Sequence, residues 1–295
     1  MRVLFISDFT LEQRQGGAQV SNKLLIDKGK ELGLDIKEHH HNSSVTDFLS
    51  SYDLVVNSNL EAISKITPPK IPLIIKSPNS VRLEHDSCSY LDNETRKLLF
   101  SKSKKNFFLS NYHYNYFKHL YGDYFHNVEI VYDPIDTSKF KKSDHEKTYD
   151  VVYCGYLHPL KGLNNLLRFA KQNTDRQIDI FGWGELSPQE TFKGYDNINF
   201  NGEVKYEEIP SIFQSSKAIF HQPIVNEPFC RMVGESILCG VEEIIGDKSK
   251  IGAYIEFNDV GYEKFRDGCE NSPSIFWERA LTVSYTHLRA HETRI

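Results

Sequence analysis

Short apolar runs alternate with longer helix-like runs along this chain, and the alternation begins twice. The first series opens at residues 1–7, and the second opens at residues 150–154, after a charged stretch at 139–147. Strands that alternate with helices favour a parallel sheet covered by helices on both faces. The sequence therefore predicts an α/β protein with two Rossmann-like domains, residues 1–138 and 148–280, that face each other across a cleft.

The period of the apolar residues gives the individual elements. Strands are predicted at residues 1–7, 35–39, 52–57, 72–76, 107–110 and 128–132 in the first series, and at 150–154, 177–181, 198–200 and 217–221 in the second. Helices are predicted at residues 20–32, 162–172, 207–215, 228–239 and 276–280. Residues 281–295 have no apolar periodicity and form a non-native-looking tail, so its histidines, His287 and His291, are left out of the functional assignment.

The composition narrows the class of protein. The chain has 295 residues, enough for two domains, and its 39% hydrophobic and 25% charged residues are those of a soluble globular protein. The formal net charge of −5 argues against a dedicated nucleic-acid binder. The five cysteines form no CxxC pair, which indicates reduced thiols, and no apolar run approaches the roughly 18 residues of a membrane span. Since the N-terminus also lacks a signal-peptide pattern, we expect a cytoplasmic protein with no nucleic-acid partner and at most peripheral membrane contact.

The most informative motif holds two carboxylates with seven residues between them. Glu227 directly precedes Pro228, and Glu235 lies in an apolar run that Gly240 closes. Proline near the start and glycine past the end predict a helix over residues 228–239. At about 1.5 Å per residue the two acids lie up to ~12 Å apart along its axis, a span suited to one extended ligand. The N-terminus of such a helix also favours phosphate.

This spacing resembles the E-x7-E motif of retaining glycosyltransferases with the GT-B fold, in particular those of family 4 (group 1). The resemblance covers about residues 1–257 and implies transfer from a nucleoside-diphosphate sugar to a glycan, lipid or small-molecule acceptor. It also implies that Glu227 contacts the donor sugar and that Glu235 holds the ribose of the nucleotide. Two exposed acids on an ordinary amphipathic helix are the alternative interpretation.

Residues 153–162 resemble the GRL-x3-KG signature that opens the second domain of this family. Gly155 matches its glycine, and Lys161 matches its phosphate-binding lysine, whose charge stabilises the leaving diphosphate. A lysine that only begins a helix is the alternative. Tyr156 stands where the signature has arginine, and Arg231 either supplies the missing charge or is a surface arginine.

Residues 179–185 resemble the G-x-G-E segment of the same family. There the two glycines, Gly182 and Gly184 in this chain, let the backbone turn tightly under the nucleotide. The first half carries Gly16 and Gly17 after its first strand, which resemble the glycine-rich loop that approaches donor phosphates and acceptor. A plain turn is the alternative for this pair.

His85 and Asp86 are the candidate acceptor-side residues, because the resemblance places a histidine of this region against the acceptor. His85 would accept a proton or orient the acceptor hydroxyl, and Asp86 would fix its tautomer. A structural histidine is the alternative.

Two other features of the sequence are predicted to have structural roles, and a third bears on metal dependence. The three histidines at 39–41 are predicted to form a solvated loop and not a metal site. The basic and aromatic residues at 102–124 are predicted to pack a helix on the sheet, in preference to lining a nucleic-acid or membrane surface. The sequence contains no Asp-x-Asp triplet, so a metal-independent site is expected, with no metal ligand and no cofactor besides the donor.

Two other functions stay open for a chain of this pattern. A catalytically silent nucleotide-sugar-binding or scaffold protein would keep the ribose site without turnover, and the tyrosine at 156 favours it. A sugar-nucleotide epimerase would have the same two-domain shape, but it would need further acid and base carboxylates in the cleft.

Overall fold

The structure is a computed structural model that describes residues 1–13, 16–40, 51–58, 79–87, 92–185 and 187–292. The chain divides into two units, the first formed by Met1–Pro134 with Asp267–Ile295 and the second by Ile135–Arg266. This division differs from the predicted domains, because the first unit ends before residue 138 and because residues 267–280 join the first unit.

The first unit is an α/β unit whose described strands form a six-stranded parallel sheet in the order β2-β1-β3-β4-β5-β6. Its elements before residue 135 are β1 (Arg2–Ile6), α1 (Gly17–Glu31), β2 (Asp35–His39), β3 (Leu54–Ser58), β4 (Ser80–Leu83), α2 (Asn93–Lys102), β5 (Lys105–Phe108), α3 (Asn111–Tyr121) and β6 (Val128–Ile130). All five residues of β3 are buried, as expected for a strand covered on both faces. The parallel sheet predicted for this half is confirmed.

One strand of this sheet escaped prediction. The predicted strand at 72–76 lies outside the described residues, whereas β4 was not predicted because Arg82 and Glu84 interrupt its apolar pattern. Both side chains are fully buried and form an ion pair at 2.8 Å, and Arg96 lies 3.0 Å from the second oxygen of Glu84. The two arginines lower the pKa of Glu84 to about 2 although burial alone would raise it. A mutually compensated charge cluster thus replaces the apolar side chains of an ordinary inner strand.

The aromatic residues of the 102–124 segment lie inside the first unit. Phe100, Phe108, Phe117 and Tyr121 form a buried cluster in which α2 and α3 pack on β5. This confirms the predicted packing role of the segment. The solvated loop predicted at 39–41 is wrong for His39, which ends β2 and is 9% exposed, while residue 41 lies outside the described residues.

The last helix, α9 (Tyr262–Glu292), carries the chain back to the first unit. Trp277 is fully buried, and its Nε1 donates a hydrogen bond of 2.6 Å to the carbonyl oxygen of Leu25 in α1. The ring of Phe276 lies 4.8 Å from that of Phe107 in β5. These contacts explain why the residues after 266, predicted to belong to the second domain, complete the core of the first unit.

The second unit repeats the α/β arrangement with a five-stranded parallel sheet, among the described residues, in the order β11-β10-β7-β8-β9. Its elements are β7 (Tyr149–Tyr156), α4 (Leu163–Gln172), β8 (Ile178–Trp183), α5 (Pro188–Thr191), β9 (Ile198–Gly202), α6 (Ile209–Gln214), β10 (Ser216–Phe220), α7 (Arg231–Leu238), β11 (Glu243–Ile245) and α8 (Gly252–Val260). Buried residues of β7, β8, β10 and α4 form its core. The two Rossmann-like units predicted from the alternation are thus present.

The strand order fixes where a ligand can approach each sheet. In the first unit the order reverses between β1 and β3, and in the second it reverses between β7 and β10. Loops that leave the carboxyl ends of neighbouring strands on the two sides of such a reversal diverge and open a crevice. Lys161 follows β7 and Glu227 follows β10, so these two predicted site residues flank the reversal of the second sheet.

No helix within the described part of the chain is long and apolar enough to cross a membrane.

Candidate functional site

The loop that follows β7 packs closely against the loop that follows β10, and a glycine lies at their contact. Gly162 comes directly after the 3-10 turn Pro159–Lys161 and has a φ of +90°. A Cβ at this position would lie 2.1 Å from the carbonyl oxygen of Gln222, so only glycine fits. The loop that carries Lys161 is thereby fixed against the loop that leads to Glu227.

Lys161 and Glu227, which the sequence assigns to one site, form an ion pair. Nζ of Lys161 lies 2.8 Å from Oε1 of Glu227, and the two side chains are 44% and 9% exposed. Burial alone would raise the pKa of Glu227, but Lys161 and His221 lower it to about 2. Glu227 is therefore a carboxylate at neutral pH and accepts hydrogen bonds from hydroxyl groups.

His221 and Cys230 complete this cluster, although the sequence assigned no role to either. His221 follows β10 and is buried, and its Nε2 lies 3.2 Å from Sγ of Cys230 and 3.7 Å from Oε1 of Glu227. Burial lowers the pKa of His221, but Cys230 and Glu227 together raise it to about 10. His221 precedes the Glu227–Glu235 motif and Cys230 lies within it, yet only the folded chain shows that the imidazole turns towards the carboxylate.

The segment that enters α7 is a loop, which corrects the helix start predicted at residue 228. The backbone N–H of Glu227 donates to the carbonyl oxygen of Lys250 at 2.8 Å, and that of Gly252 donates to the carbonyl oxygen of Glu227 at 3.0 Å. These bonds hold the loop in parallel pairing, and Cys230 then turns with a φ of +70° before α7 begins. Pro228 therefore belongs to the loop and not to the first helical turn.

Arg231 and Glu235 lie one turn apart in α7 and form a buried pair. Arg231 is 8% exposed, so the surface arginine that the sequence left open is wrong. Its Nε lies 2.7 Å from Oε1 of Glu235, and the hydroxyl of Tyr206 donates to the same oxygen at 2.5 Å. Nη2 of Arg231 in turn donates to the Tyr206 hydroxyl at 2.9 Å. Tyr206 was not predicted as a site residue, because it lies in a separate 3-10 turn, Tyr206–Glu208, with no motif of its own.

The remaining glycines of the second-unit motifs lie where β7 and β8 approach each other. A Cβ at Gly182 would lie 2.1 Å from the carbonyl oxygen of Gly155, and one at Gly184 would lie 2.8 Å from that of Leu157. Close packing of the two strands thus accounts for Gly182 and Gly184 without any ligand. Their place beneath a nucleotide stays a prediction.

Tyr156, which stands in the place of the expected arginine, belongs to an aromatic group. Its ring stacks on His158 at 5.4 Å and lies 4.5 Å from the ring of Trp183, which is 38% exposed. The ends of β7 and β8 therefore present aromatic faces, on which a nucleobase can stack, in place of a second cation.

His85 lies just after β4 in the first unit and is 6% exposed. Its Nε2 is 3.1 Å from Oδ1 of Asn22, and the hydroxyl of Ser58 donates to the same oxygen at 2.9 Å. The residue that fixes the His85 tautomer is therefore Asn22, which corrects the predicted role of Asp86. Burial lowers the pKa of His85 against the opposing charges of nearby carboxylates. Because Oδ1 only accepts, Nε2 carries the proton and Nδ1 is the basic atom.

Gly16 is the residue before α1 and Gly17 is its first residue, so the helix begins three residues before the predicted start at 20 and Gly17 does not belong to the predicted loop after β1. Gly16 is the extended residue before the helix, with a φ of −144°, so the turn needs no left-handed glycine there. The hydroxyl of Ser21 donates to the carbonyl oxygen of Gly17 at 2.8 Å and also to Oδ1 of Asp133. Ser21 thus links Gly17 to the segment after β6. Contact of Gly16 and Gly17 with a ligand remains a prediction.

Comparison with known proteins agrees with this arrangement. Residues 134–262, a range that includes Lys161, Glu227 and Glu235, match the family model described as Glycosyl transferases group 1. No curated protein matches the chain by sequence.

Solved structures of glycosyltransferases share the fold over almost the whole chain. HepE of Anabaena in complex with UDP-glucose is 15% identical with a TM-score of 0.64, covering 99% of this chain and 100% of that one. Sucrose-phosphate synthase from Thermosynechococcus elongatus is 11% identical with a TM-score of 0.66, covering 99% and 98%. A glycosyltransferase from Rickettsia africae is 14% identical with a TM-score of 0.62, covering 96% and 98%. The chain therefore has the two-domain fold of these glycosyltransferases, and its residues 134–262 match the group 1 glycosyl transferase family.

Proposed function

We propose that this protein is a retaining glycosyltransferase that moves a sugar from a nucleoside-diphosphate sugar to an acceptor hydroxyl. The observation that carries the proposal is the Lys161–Glu227 pair beside the strand-order reversal of the second sheet, within the region that matches the family model. An ammonium group stabilises a leaving diphosphate, and an ionised carboxylate accepts hydrogen bonds from sugar hydroxyls at the reacting end of the donor.

Glu227 acts in this proposal through hydrogen bonds to the donor sugar. Its carboxylate is ionised over the physiological range, because its pKa is about 2, so it accepts hydrogen bonds from sugar hydroxyls and does not act as an acid. The backbone pairing with Lys250 and Gly252 fixes its direction. Such preorganisation lets the carboxylate stabilise the charge that develops on the sugar.

Lys161 neutralises the leaving diphosphate. Its side chain is half-exposed while that of Glu227 is buried, so the ammonium group is the mobile partner of the pair. A bound diphosphate offers it oxygens of higher charge than one carboxylate. The sugar hydroxyls then take its place beside Glu227.

Glu235 holds the ribose hydroxyls, and Arg231 and Tyr206 are positioning residues for it. An ionised carboxylate accepts about four hydrogen bonds, so those from Tyr206 and Arg231 leave capacity for a diol. This assignment replaces the predicted role of Arg231 as the second cation at the diphosphate. The aromatic group of Tyr156, His158 and Trp183 supplies a stacking surface for the base.

In the first unit, His85 faces the acceptor and receives the proton of its hydroxyl at Nδ1, with the backbone of Gly16 and Gly17 and the carboxylate of Asp86 lining the same side. A neutral histidine is the form that can take up this proton. The acceptor is a glycan, a lipid or a small molecule. The reaction requires no metal ion or cofactor in this proposal, because Lys161 and the helix dipole of α7 balance the phosphate charge.

UDP-glucose is the first donor to test, since HepE, a neighbour in fold, was solved with it. We place the reaction in the cytoplasm, where thiols such as the buried Cys154, Cys239 and Cys269 stay reduced. A catalytically silent sugar-nucleotide-binding protein is the second candidate, and the aromatic Tyr156 in place of a cation favours it.

The direct test is isothermal titration of the protein with UDP, GDP and ADP, repeated with Glu235→Gln. We expect one nucleotide to bind and the variant to bind it at least about tenfold more weakly, because the ribose loses a charged acceptor. Equal binding by the variant would remove Glu235 from the site. Incubation of UDP-glucose with the protein then separates an enzyme, which releases UDP, from a silent binder, which does not.

A further inference from the structure

Three side chains of different chemistry meet after β10. His221, Glu227 and Cys230 each offer one donor atom, and these atoms lie within 4.8 Å of one another. Nε2 of His221 is 3.2 Å from Sγ of Cys230 and 3.7 Å from Oε1 of Glu227. Ligands of a tetrahedral zinc ion, at their usual bond lengths, lie about 3.4–3.6 Å apart. The spacing therefore fits three ligands of a single ion with little movement.

The donor set selects the kind of ion. An imidazole nitrogen and a sulfur suit zinc, cobalt and similar transition metals, whereas magnesium and calcium prefer sites made of oxygen. One nitrogen, one oxygen and one sulfur match a site with three protein ligands and one open position. A soft divalent ion is thus favoured over a hard one.

Cys230 reaches this position at a cost in backbone energy. Its φ of +70° is left-handed, which costs a residue with a Cβ about 1–2 kcal/mol and costs glycine almost nothing. Among the described residues, Asn127 is the other non-glycine residue with a positive φ, and asparagine tolerates it well. A strained cysteine next to a buried imidazole is a reason to look for a function of its sulfur.

His221 makes polar contacts through only one of its two ring nitrogens, among the described residues. Its ring is buried, and within the described part of the chain Nδ1 has no hydrogen-bond partner. A buried polar atom without a partner costs about 1–3 kcal/mol. The interactions of this ring are concentrated on Nε2, the atom that faces the sulfur and the carboxylate.

We propose that His221, Glu227 and Cys230 form a binding site for a zinc-like transition-metal ion, with a fourth coordination position open. The ion binds the imidazole nitrogen and the sulfur in their deprotonated forms, and any proton displaced from them is released to solvent. Binding does not depend on the proposed transferase activity.

Lys161 makes this site competitive with the transferase arrangement. Its ammonium group pairs with Oε1 of Glu227, the oxygen that the ion would take, so the lysine and the ion exclude each other there. The ion is therefore an inhibitor of the proposed transfer and not its cofactor. Removal of the Lys161 charge is expected to strengthen metal binding.

Cobalt(II) is the probe for the test, because sulfur coordination gives a charge-transfer absorption that nitrogen and oxygen ligands do not give. We expect the purified full chain to bind one cobalt ion with this absorption and to release it on addition of zinc. Cys230→Gly should abolish the absorption and weaken binding at least tenfold, while Lys161→Met should bind at least threefold more tightly. Cys230→Gly folds readily, since glycine suits the left-handed position.

Controls separate this site from other thiols and histidines. Cys239→Ser removes a buried cysteine that directly follows α7 and lies outside the cluster, and Cys88→Ser removes the cysteine that lies outside the described residues; both should keep the absorption. His40→Asn tests the histidine run at 39–41, and it should leave the sulfur absorption intact. An absorption that survives in Cys230→Gly, that disappears in Cys88→Ser, or that never appears in the unaltered protein would overturn the proposal.

Discussion

Tyr206 donates a hydrogen bond of 2.5 Å to Oε1 of Glu235, although 29 positions separate the two residues in the sequence. The same oxygen lies 2.7 Å from Nε of Arg231. Burial, with the charge of Glu235, raises the pKa of Tyr206 far above its usual range, so the phenol stays protonated and remains a donor. The carboxylate assigned to the ribose is thus held by two donors from two different elements.

Tyr206→Phe tests this positioning role. The change removes one donor to Glu235 and leaves Arg231 in place, and a hydrogen bond to a charged group is worth about 1.5–3 kcal/mol. We expect UDP binding, measured by isothermal titration, to weaken about 3- to 10-fold while UDP-glucose turnover at saturating donor changes less. Tyr254→Phe, whose ring lies near Lys248, is the matched control. Unchanged UDP binding in Tyr206→Phe would show that this hydrogen bond serves stability alone.

Cys230→Gly is expected to fold at least as stably as the unaltered protein. Glycine removes the strain of the left-handed φ, worth about 1–2 kcal/mol, against an entropic cost of about 0.5–1 kcal/mol. The comparison variant is Cys269→Gly, in the interior of α9, where the residue is fully buried and glycine should destabilise the fold by more than about 1 kcal/mol. Denaturant unfolding of both variants measures the difference. A large loss of stability in Cys230→Gly would mean that the contact between the sulfur and His221 outweighs the strain.

The buried charge cluster of the first unit predicts acid sensitivity. The pKa of Glu84 is lowered to about 2, so its contribution to stability is complete above pH 4.5 and is lost as the pH falls from 4.5 to 2. Burial lowers the pKa of His113 from its usual 6.5 to about 3. The neutral form of His113 therefore stabilises the fold above pH 6.5, and this contribution is lost as the pH falls from 6.5 to 3.

Denaturant unfolding at several pH values tests whether the stability of the protein falls as the pH falls. The free energy of unfolding should decrease steadily from pH 6.5 towards pH 3. Glu84→Gln should lower it at pH 7 by about 3–5 kcal/mol, because Arg82 and Arg96 lose their buried counter-charge. A surface control is Glu94→Gln, whose partner Lys97 belongs to an exposed helical pair, so this substitution should have a far smaller effect. Equal effects of the two substitutions would contradict the structural role of the cluster.

The two tryptophans lie in different units, and their replacement should affect stability very differently. Trp277 is buried against α1 in the first unit, whereas Trp183 is exposed at the end of β8 in the second. Trp277→Ala should destabilise the first unit by about 3–5 kcal/mol, because a large core side chain is lost. Unfolding monitored by circular dichroism measures this loss. Trp183→Ala should change stability by less than about 0.5 kcal/mol. A neutral result for Trp277→Ala would contradict the assignment of the last helix to the first unit.

The sequence predicted what depends on local pattern and on motif spacing. Alternating runs predicted the parallel sheets, and motif spacing assigned Lys161, eleven residues after the start of the second series, and Glu227, after a later strand, to the one site in which the structure pairs them. Lys161 follows β7 and Glu227 follows β10, and these strands are neighbours in the sheet. The strand order therefore places both residues beside the reversal.

What escaped prediction depends on tertiary contacts. The start of α7 was placed too early because Pro228 suits a first helical turn, whereas backbone bonds to Lys250 and Gly252 hold that segment extended. The strand β4 escaped notice because its charged residues compensate one another only in the folded core. Tyr206 and His221 carry no motif, and their roles follow from side chains that arrive from other elements.

We propose that this chain breaks the bond between sugar and diphosphate in a nucleotide sugar and that Glu227 stabilises the reacting sugar. The most direct measurement is the rate of UDP release from UDP-glucose, with water as a slow acceptor, for the unaltered protein and for Glu227→Gln. We expect measurable UDP release by the unaltered protein and a rate at least about 100-fold lower in Glu227→Gln, whose amide cannot supply the negative charge. Binding of UDP-glucose without any UDP release, or equal release rates for the two proteins, would contradict it.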